Sequence, residues 1–209
     1  MKVTRLVIVA VGGQGNILAA RMLGEAAVAA ELPVRMSEFH GMAQRGGVVE
    51  SMILLGDGES SCVSDGEADI LVGFEPSETL RALKKCHSNA LVITNTRPVP
   101  PYTVAMGKAQ YPSLPSTLDK ISHKVKKLVA FDATGLALQA GSALAINMVM
   151  LGALAGSGAV PLEAPSIRET IREKSRKGFL ETNLKAFDLG LATAAGTHGK
   201  SAPNEGGRL

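Results

Sequence analysis

VTRLVIVAVGGQGNILAARMLGEAAVAAELPVRMSEF, Val3 to Phe39, is the stretch on which the fold class turns. Val3–Val11 is a nearly unbroken apolar run rich in β-branched residues, as a strand buried on both faces requires. It stops at GGQG, Gly12 to Gly15, after which Ile17, Leu18, Met22 and Ala26 recur at helical spacing. PVRMSEF then reads as a second strand. Strand, glycine turn, helix and strand make a βαβ opening, which predicts an α/β fold with a mainly parallel, Rossmann-like sheet.

The rest of the chain extends that opening. VVESMILLG reads as a strand whose Glu50 needs a polar environment or a sheet edge. ADILVGF (Ala68–Phe74), NALVITNT (Asn89–Thr96) and KLVAFDA (Lys127–Ala133) follow as strands. Between the first two of these, EPSETLRALKKC reads as a helix capped by Ser77, with Glu78 in its first turn. RPVPPYTVAMGKAQYPSLPS, Arg97 to Ser116, has too many prolines for a helix or central strand. It is a long connection of the kind that often binds or covers a site. A short helix is expected near Thr117–His123. From Ala143 to Leu191 only helices are expected: Ala143–Ala155, Ala164–Arg176 and Leu180–Leu191. They form a helical layer on the sheet, so residues 1–194 make one layered domain. The remainder, 195–209, lacks apolar periodicity and reads as a disordered tail.

Composition narrows the function. With 209 residues and 45% hydrophobic content the chain can bury one sizeable core. Only 3% is aromatic, so that core must pack through Ala, Val, Leu, Ile and Met. Twenty-two basic and 19 acidic residues nearly cancel, which does not suit a nucleic-acid partner. Lys84–Lys85, Lys124, Lys126–Lys127 and Arg172 to Lys177 read as solvated basic faces. The two cysteines, Cys62 and Cys86, are too few and too far apart for an iron–sulfur cluster or a four-cysteine zinc site. As free thiols they suit a reducing compartment, so a cytoplasmic protein is expected. No apolar stretch has a membrane-spanning length, and the apolar start reads as a first strand rather than a signal core.

Two loops carry the site-like chemistry. Gly12, Gly13, Gln14 and Gly15 lie between a strand and a helix N-terminus, where free N–H groups and the helix dipole favour an anion. The dinucleotide pattern G-x-G-x-x-G fails, because Leu18 stands where its third glycine belongs. Three readings stay open: a dinucleotide site marked by Glu38, a ligand-free tight turn, or recognition of a phosphate or carboxylate. The second loop is HGMAQRGG, His40 to Gly47. Its glycines, Gly41, Gly46 and Gly47, let it fold tightly and present Gln44 and Arg45. Arg45 offers a planar fork for a carboxylate or phosphate, and His40 can donate, accept or titrate. The alternative is loop bracing by Arg45 and Gln44 around a satisfied His40. No nucleophile–His or carboxylate–His spacing is evident, so no catalytic residue is assigned. Both loops should lie beyond the carboxyl ends of their strands, on one sheet edge.

VAVGGQGNILAARMLGEAA followed by MSEFHGMAQRGGVVESMILLG resembles the gamma-type subunit of 2-oxoacid:ferredoxin oxidoreductases. It is most similar to the beta-subunit type found in indolepyruvate ferredoxin oxidoreductases. Pyruvate- and oxoglutarate-type relatives tend to carry Tyr-Gly-Pro-Glu before Arg-Gly-Gly, where this chain has His40-Gly41-Met42-Ala43-Gln44. The likeness continues through DILVGFEPSETLRAL, VITNTRPVPP and FLETNLKAFDLG, nearly to the tail. One departure is Ala10, which replaces the first glycine of the family's Gly-x-Gly-Gly-Gln-Gly turn. The resemblance implies oxidative decarboxylation of a 2-oxoacid with coenzyme A, giving an acyl-CoA, carbon dioxide and reduced ferredoxin. It implies that thiamine diphosphate and iron–sulfur clusters sit on a partner alpha subunit, with none held here. His40, Gln44, Arg45, Gly46 and Gly47 would then form an interface or substrate-edge loop, and Gly12–Gly15 would contact an anion or coenzyme A. The alternatives are a stand-alone nucleotide- or anion-binding module and a regulatory protein derived from the subunit.

Overall fold

The computed structural model describes residues 3–41, 46–101, 104 and 106–196. Six strands form one sheet in the order β2-β3-β1-β4-β5-β6. They are β1 (Thr4–Val11), β2 (Val34–His40), β3 (Val48–Leu55), β4 (Ala68–Gly73), β5 (Cys86–Asn95) and β6 (Lys127–Phe131). Strands β1, β4, β5 and β6 are parallel neighbours, as the βαβ opening predicts. Strand β3 is the exception, pairing antiparallel with both β1 and β2. The reason lies in loop length. A parallel return needs a crossover of about a dozen residues or more, and the short loop after His40 can only turn back as a hairpin. So β2 runs in the direction of β1 but sits at the sheet edge, with β3 inserted between them. Glu50 is therefore not at an edge; it is half-buried on β3 between Phe39 and Val9.

Side-chain alternation divides the core in two. Leu6, Ile8 and Ala10 face one side with Ile53, Val72 and Ile93, while Val7 and Val9 face the other with Leu54, Leu71 and Val92. The first side is covered by α1 (Asn16–Ala29) and the late helices α4 (Ala133–Ala140), α5 (Ile146–Gly156), α6 (Ala164–Lys174) and α7 (Leu180–Ala195). The second carries α2 (Pro76–Ala82) and α3 (Leu114–Ser122). Helix α5 is buried on nearly all sides, as its unbroken apolar run requires. Small residues bring it against α7: a Cβ at Gly152 would lie 2.0 Å from the Phe187 carbonyl oxygen, and one at Gly190 2.0 Å from that of Val149. That contact accounts for a core with so few aromatic rings.

Several boundaries differ from expectation for local reasons. Helix α2 is capped by Glu75 rather than Ser77: its Oε2 accepts from the Glu78 amide at 2.9 Å, and Pro76 takes the first-turn position where its missing N–H costs nothing. Helix α3 starts at Leu114, inside the proline-rich segment, because Pro115 falls in its first turn and Ser113 caps it. Asp132 follows β6 and caps α4, accepting from the Gly135 amide at 2.8 Å; the expected strand runs on to Ala133, and this helix is not among the expected elements. Residues 143–145 form a 3₁₀ turn capped by Ser142, so α5 begins only at Ile146. Helix α7 continues to Ala195, with Gly196 as its C-cap, and residues 197–209 of the expected tail lie outside the described residues. From Ala143 onward no strand occurs among the described residues.

Candidate functional site

The glycine turn closes against the β2–β3 hairpin at the carboxyl edge of the sheet. Gly12 donates its amide to the Gly47 carbonyl at 2.8 Å, so both loops share that edge. Gly13 and Gly15 have φ of +97° and +81°, where glycine is favoured. Gln14 braces the turn from within: its Oε1 accepts from the Val11 amide at 2.8 Å and its Nε2 donates to the Phe74 carbonyl at 3.2 Å. Buried Asn16 ties α1 to β3 by donating to the Val49 carbonyl at 3.1 Å. Across the hairpin His40 is exposed, and Gly46 has φ +66°. Gln44 and Arg45 lie outside the described residues.

Beside the turn lies a cavity of about 490 Å³. Three helices begin at it: α1 at Gly15 and α7 at Phe179, neither with a side-chain cap, and α5 at Ala145, which continues from the Ser142-capped 3₁₀ turn. Their first-turn amides and dipoles favour negative charge. Asn147 joins two of them, its Oδ1 accepting from the Met148 amide at 2.9 Å while its Nδ2 faces the Gly15 carbonyl at 3.5 Å. Arg21, Lys174 and Arg176 supply three cations against a single carboxylate in the lining, Glu25. Leu18, Leu144 and Phe179 add an exposed apolar wall. Polyanion-binding groups beside an apolar surface suit a phosphate-bearing molecule with a hydrophobic arm.

The other half of the edge anchors the proline-rich segment. Asn95, fully buried at the end of β5, donates to the Phe74 carbonyl at 3.0 Å and accepts from the Ala133 amide at 3.0 Å. Phe74 thereby links Gln14 to Asn95. Glu75 Oε1 accepts from the Val99 amide at 3.2 Å and from the Tyr111 hydroxyl, so one buried carboxylate ties both ends of the segment. Burial, and then the bond to Glu75, push the Tyr111 hydroxyl up to about 12. Glu78 lies alongside with its Oε2 buried and unpartnered. Its carboxyl is raised chiefly by burial; Arg81 opposes this, and the charges of Glu75 and Glu50 add to it.

The structure thus brings Gly12–Gly15 together with Gly46 and Gly47, and adds residues with no local sequence signal. Arg21, Lys174 and Arg176 look like any solvated basic face, and Asn147 like a polar residue within a buried helix. The readable hint was the helix start at Phe179, which lacks a Ser, Thr, Asp or Asn cap. Among the described residues no group of three or more His, Cys, Asp or Glu could hold a metal ion. Cys62 is exposed and Cys86 buried. No helix among the described residues is long and apolar enough to cross a membrane.

Comparison with known proteins gives the site its context. The chain is 42% identical over 196 residues to the indolepyruvate oxidoreductase subunit IorB of Pyrococcus horikoshii, covering 93% of this chain and 97% of that one. It is 40% identical over 185 residues to the IorB subunit of Methanothermobacter thermautotrophicus, covering 88% and 94%. The gamma subunit of a keto/oxoacid ferredoxin oxidoreductase from Geobacter sulfurreducens shares the fold, with a TM-score of 0.68 at 20% identity over 92% of this chain and 99% of that one. The family model described as pyruvate ferredoxin/flavodoxin oxidoreductase matches residues 5–193, and the chain belongs to that family.

Proposed function

We propose that the chain is the non-autonomous subunit of an indolepyruvate, or closely related arylpyruvate, ferredoxin oxidoreductase, and that its cavity receives coenzyme A. The observation that carries the coenzyme A reading is the cavity itself: three helix starts, two of them without a side-chain cap, three cations and an apolar wall beside the glycine turn. Coenzyme A matches it with a diphosphate and a ribose 3′-phosphate for the cations and a pantetheine arm whose gem-dimethyl and methylene groups can lie on the apolar wall. The arylpyruvate reading is supported by about 40% identity to subunits named for indolepyruvate and by the His40–Gln44 stretch.

In this reading thiamine diphosphate and the iron–sulfur clusters belong to an alpha subunit. The two cysteines of this chain, one exposed and one buried, do not fit a cluster. The thiamine supplies the carbanion chemistry of decarboxylation and the clusters carry electrons to ferredoxin. This chain's residues bind and orient the thiol that accepts the acyl group. The backbone of Gly12–Gly15 contacts the co-substrate, the loop that carries His40, Gln44, Arg45, Gly46 and Gly47 serves as the interface or substrate-edge loop, and the complex works in the cytoplasm. The test is isothermal titration of coenzyme A into the chain alone and into the complex with its alpha subunit. Saturable binding weakened by Arg176→Ala supports the reading; no binding in either preparation removes coenzyme A from the cavity. A stand-alone anion-binding module would bind the same ligand but would not raise the turnover of an alpha subunit.

A further inference from the structure

Among the described residues, the one acidic side chain lining the cavity already holds two of its three cations. Glu25 Oε2 lies 3.2 Å from Lys174 Nζ, and its Oε1 lies 3.7 Å from Arg21 Nε. The first contact joins α1 to the end of α6 across the cavity wall; the second is one turn along α1. Arg176 has no ion-pair partner among the described residues. We propose that Glu25 is an internal counter-anion that competes with ligand phosphates for Lys174 and Arg21, so that only a multiply charged ligand displaces it. The inference rests on the reading of this cavity as an anion site and adds the residue that sets its charge requirement.

The physical argument is one of exchange. The Glu25, Lys174 and Arg21 side chains are 33%, 49% and 74% exposed, so these pairs are solvated and weak enough to be replaced. A monocarboxylate entering the cavity would offer Lys174 and Arg21 nothing that Glu25 does not. A diphosphate can engage them together with Arg176 and the helix amides, and its bonds to these cations are charge-assisted. Glu25 therefore selects for phosphate esters of high charge and against the carboxylates of small oxoacids. Arg176, left uncommitted, is the first contact such a ligand can make without displacing anything.

The test is calorimetric titration of sodium pyrophosphate, and separately coenzyme A, into the full chain and its Glu25→Gln variant at low salt. Unmasking two cations should tighten pyrophosphate binding roughly five- to tenfold, while acetate, titrated in parallel, should bind only the variant. Glu173→Gln, beside Lys174 in sequence but absent from the cavity lining, controls for net charge and should change affinity less than about twofold. In a Lys174→Ala background the Glu25→Gln gain should shrink, because the two residues act as a pair. The proposal is overturned if pyrophosphate binds neither protein, if Glu25→Gln leaves binding unchanged or weaker, or if Glu173→Gln gives the same gain. Pyrophosphate following the expected pattern while coenzyme A fails to bind removes coenzyme A as the ligand and leaves Glu25 in its role. Coenzyme A binding that ignores Glu25 overturns the counter-anion and keeps the ligand.

Discussion

Alanine at Gly15 should be far more damaging than alanine at Gly13, two residues away in the same turn. Both glycines have positive φ, so either substitution forces a side chain into the left-handed region, at about 1–2 kcal/mol. A Cβ at Gly13 would meet nothing within 4 Å. A Cβ at Gly15 would lie 2.6 Å from Asn147 Nδ2 and 3.3 Å from its Cγ. Asn147 is 5% exposed and its Oδ1 holds the Met148 amide, so it cannot simply swing away. Overpacking of that kind adds roughly 1–3 kcal/mol. Gly15→Ala should then cost about 2–5 kcal/mol against about 1–2 for Gly13→Ala. At about 2–4 °C per kcal/mol for a chain of this size, the Tm should fall by about 4–20 °C and 2–8 °C respectively. The assay is thermal unfolding by circular dichroism of both variants, Asn147→Ala, and the Gly15→Ala/Asn147→Ala double variant. The double variant should be more stable than the sum of the singles predicts, because Asn147→Ala removes the clash. Equal losses at Gly13 and Gly15, or strict additivity in the cycle, would refute the packing of the turn against α5.

Glu78→Gln should stabilise the protein at pH 7–8. The raised carboxyl means that the folded state disfavours its charge, so the native contribution is intact below the unfolded pKa and lost as pH rises through the folded one. The gain in Tm should therefore vanish below about pH 4, where the carboxyl is protonated in both states; a gain independent of pH would contradict this. Cys86 is buried and its thiol is pushed up to about 11 by burial, while Cys62 is exposed. A chromogenic disulfide reagent at pH 8 should thus react fast at Cys62 and with Cys86 only on unfolding; fast reaction of both would overturn that burial. Arg45→Ala, in the loop read as an interface, should weaken assembly or coenzyme A affinity about tenfold to a hundredfold, the size of one charge-assisted contact, with Arg45→Lys rescuing only partly. Titration into the alpha subunit reads the first effect, and an unchanged complex removes Arg45 from the interface.

The opening of the fold was legible because each local preference agreed. The β-branched run of β1, the glycines that follow and the helical spacing of α1 all favour one arrangement. The direction of β3 was not legible from its own residues, which suit a parallel or an antiparallel neighbour equally. The short His40–Gly47 connection carried that information. Helix α4 was hidden because Asp132 looks like the end of a strand until its side chain is seen capping Gly135. The glycine turn stood out as a candidate site because backbone freedom and a helix start show in consecutive residues. Its cations did not: Arg21, Lys174 and Arg176 come from segments far apart in sequence, and only the packing of α6 against α1 brings them to one cavity.

Reconstitution decides whether this chain completes a 2-oxoacid oxidoreductase whose redox cofactors lie on a partner. The alpha subunit proposed as its partner would be purified anaerobically and supplied with thiamine diphosphate and iron–sulfur clusters. Coenzyme A-dependent reduction of ferredoxin would then be followed with indolepyruvate, pyruvate and 2-oxoglutarate as this chain is titrated in. The account predicts turnover that rises to saturation with added chain, is greatest with indolepyruvate, and is reduced by Arg176→Ala. Full activity of the alpha subunit alone, or none with any 2-oxoacid at saturating chain, would contradict it.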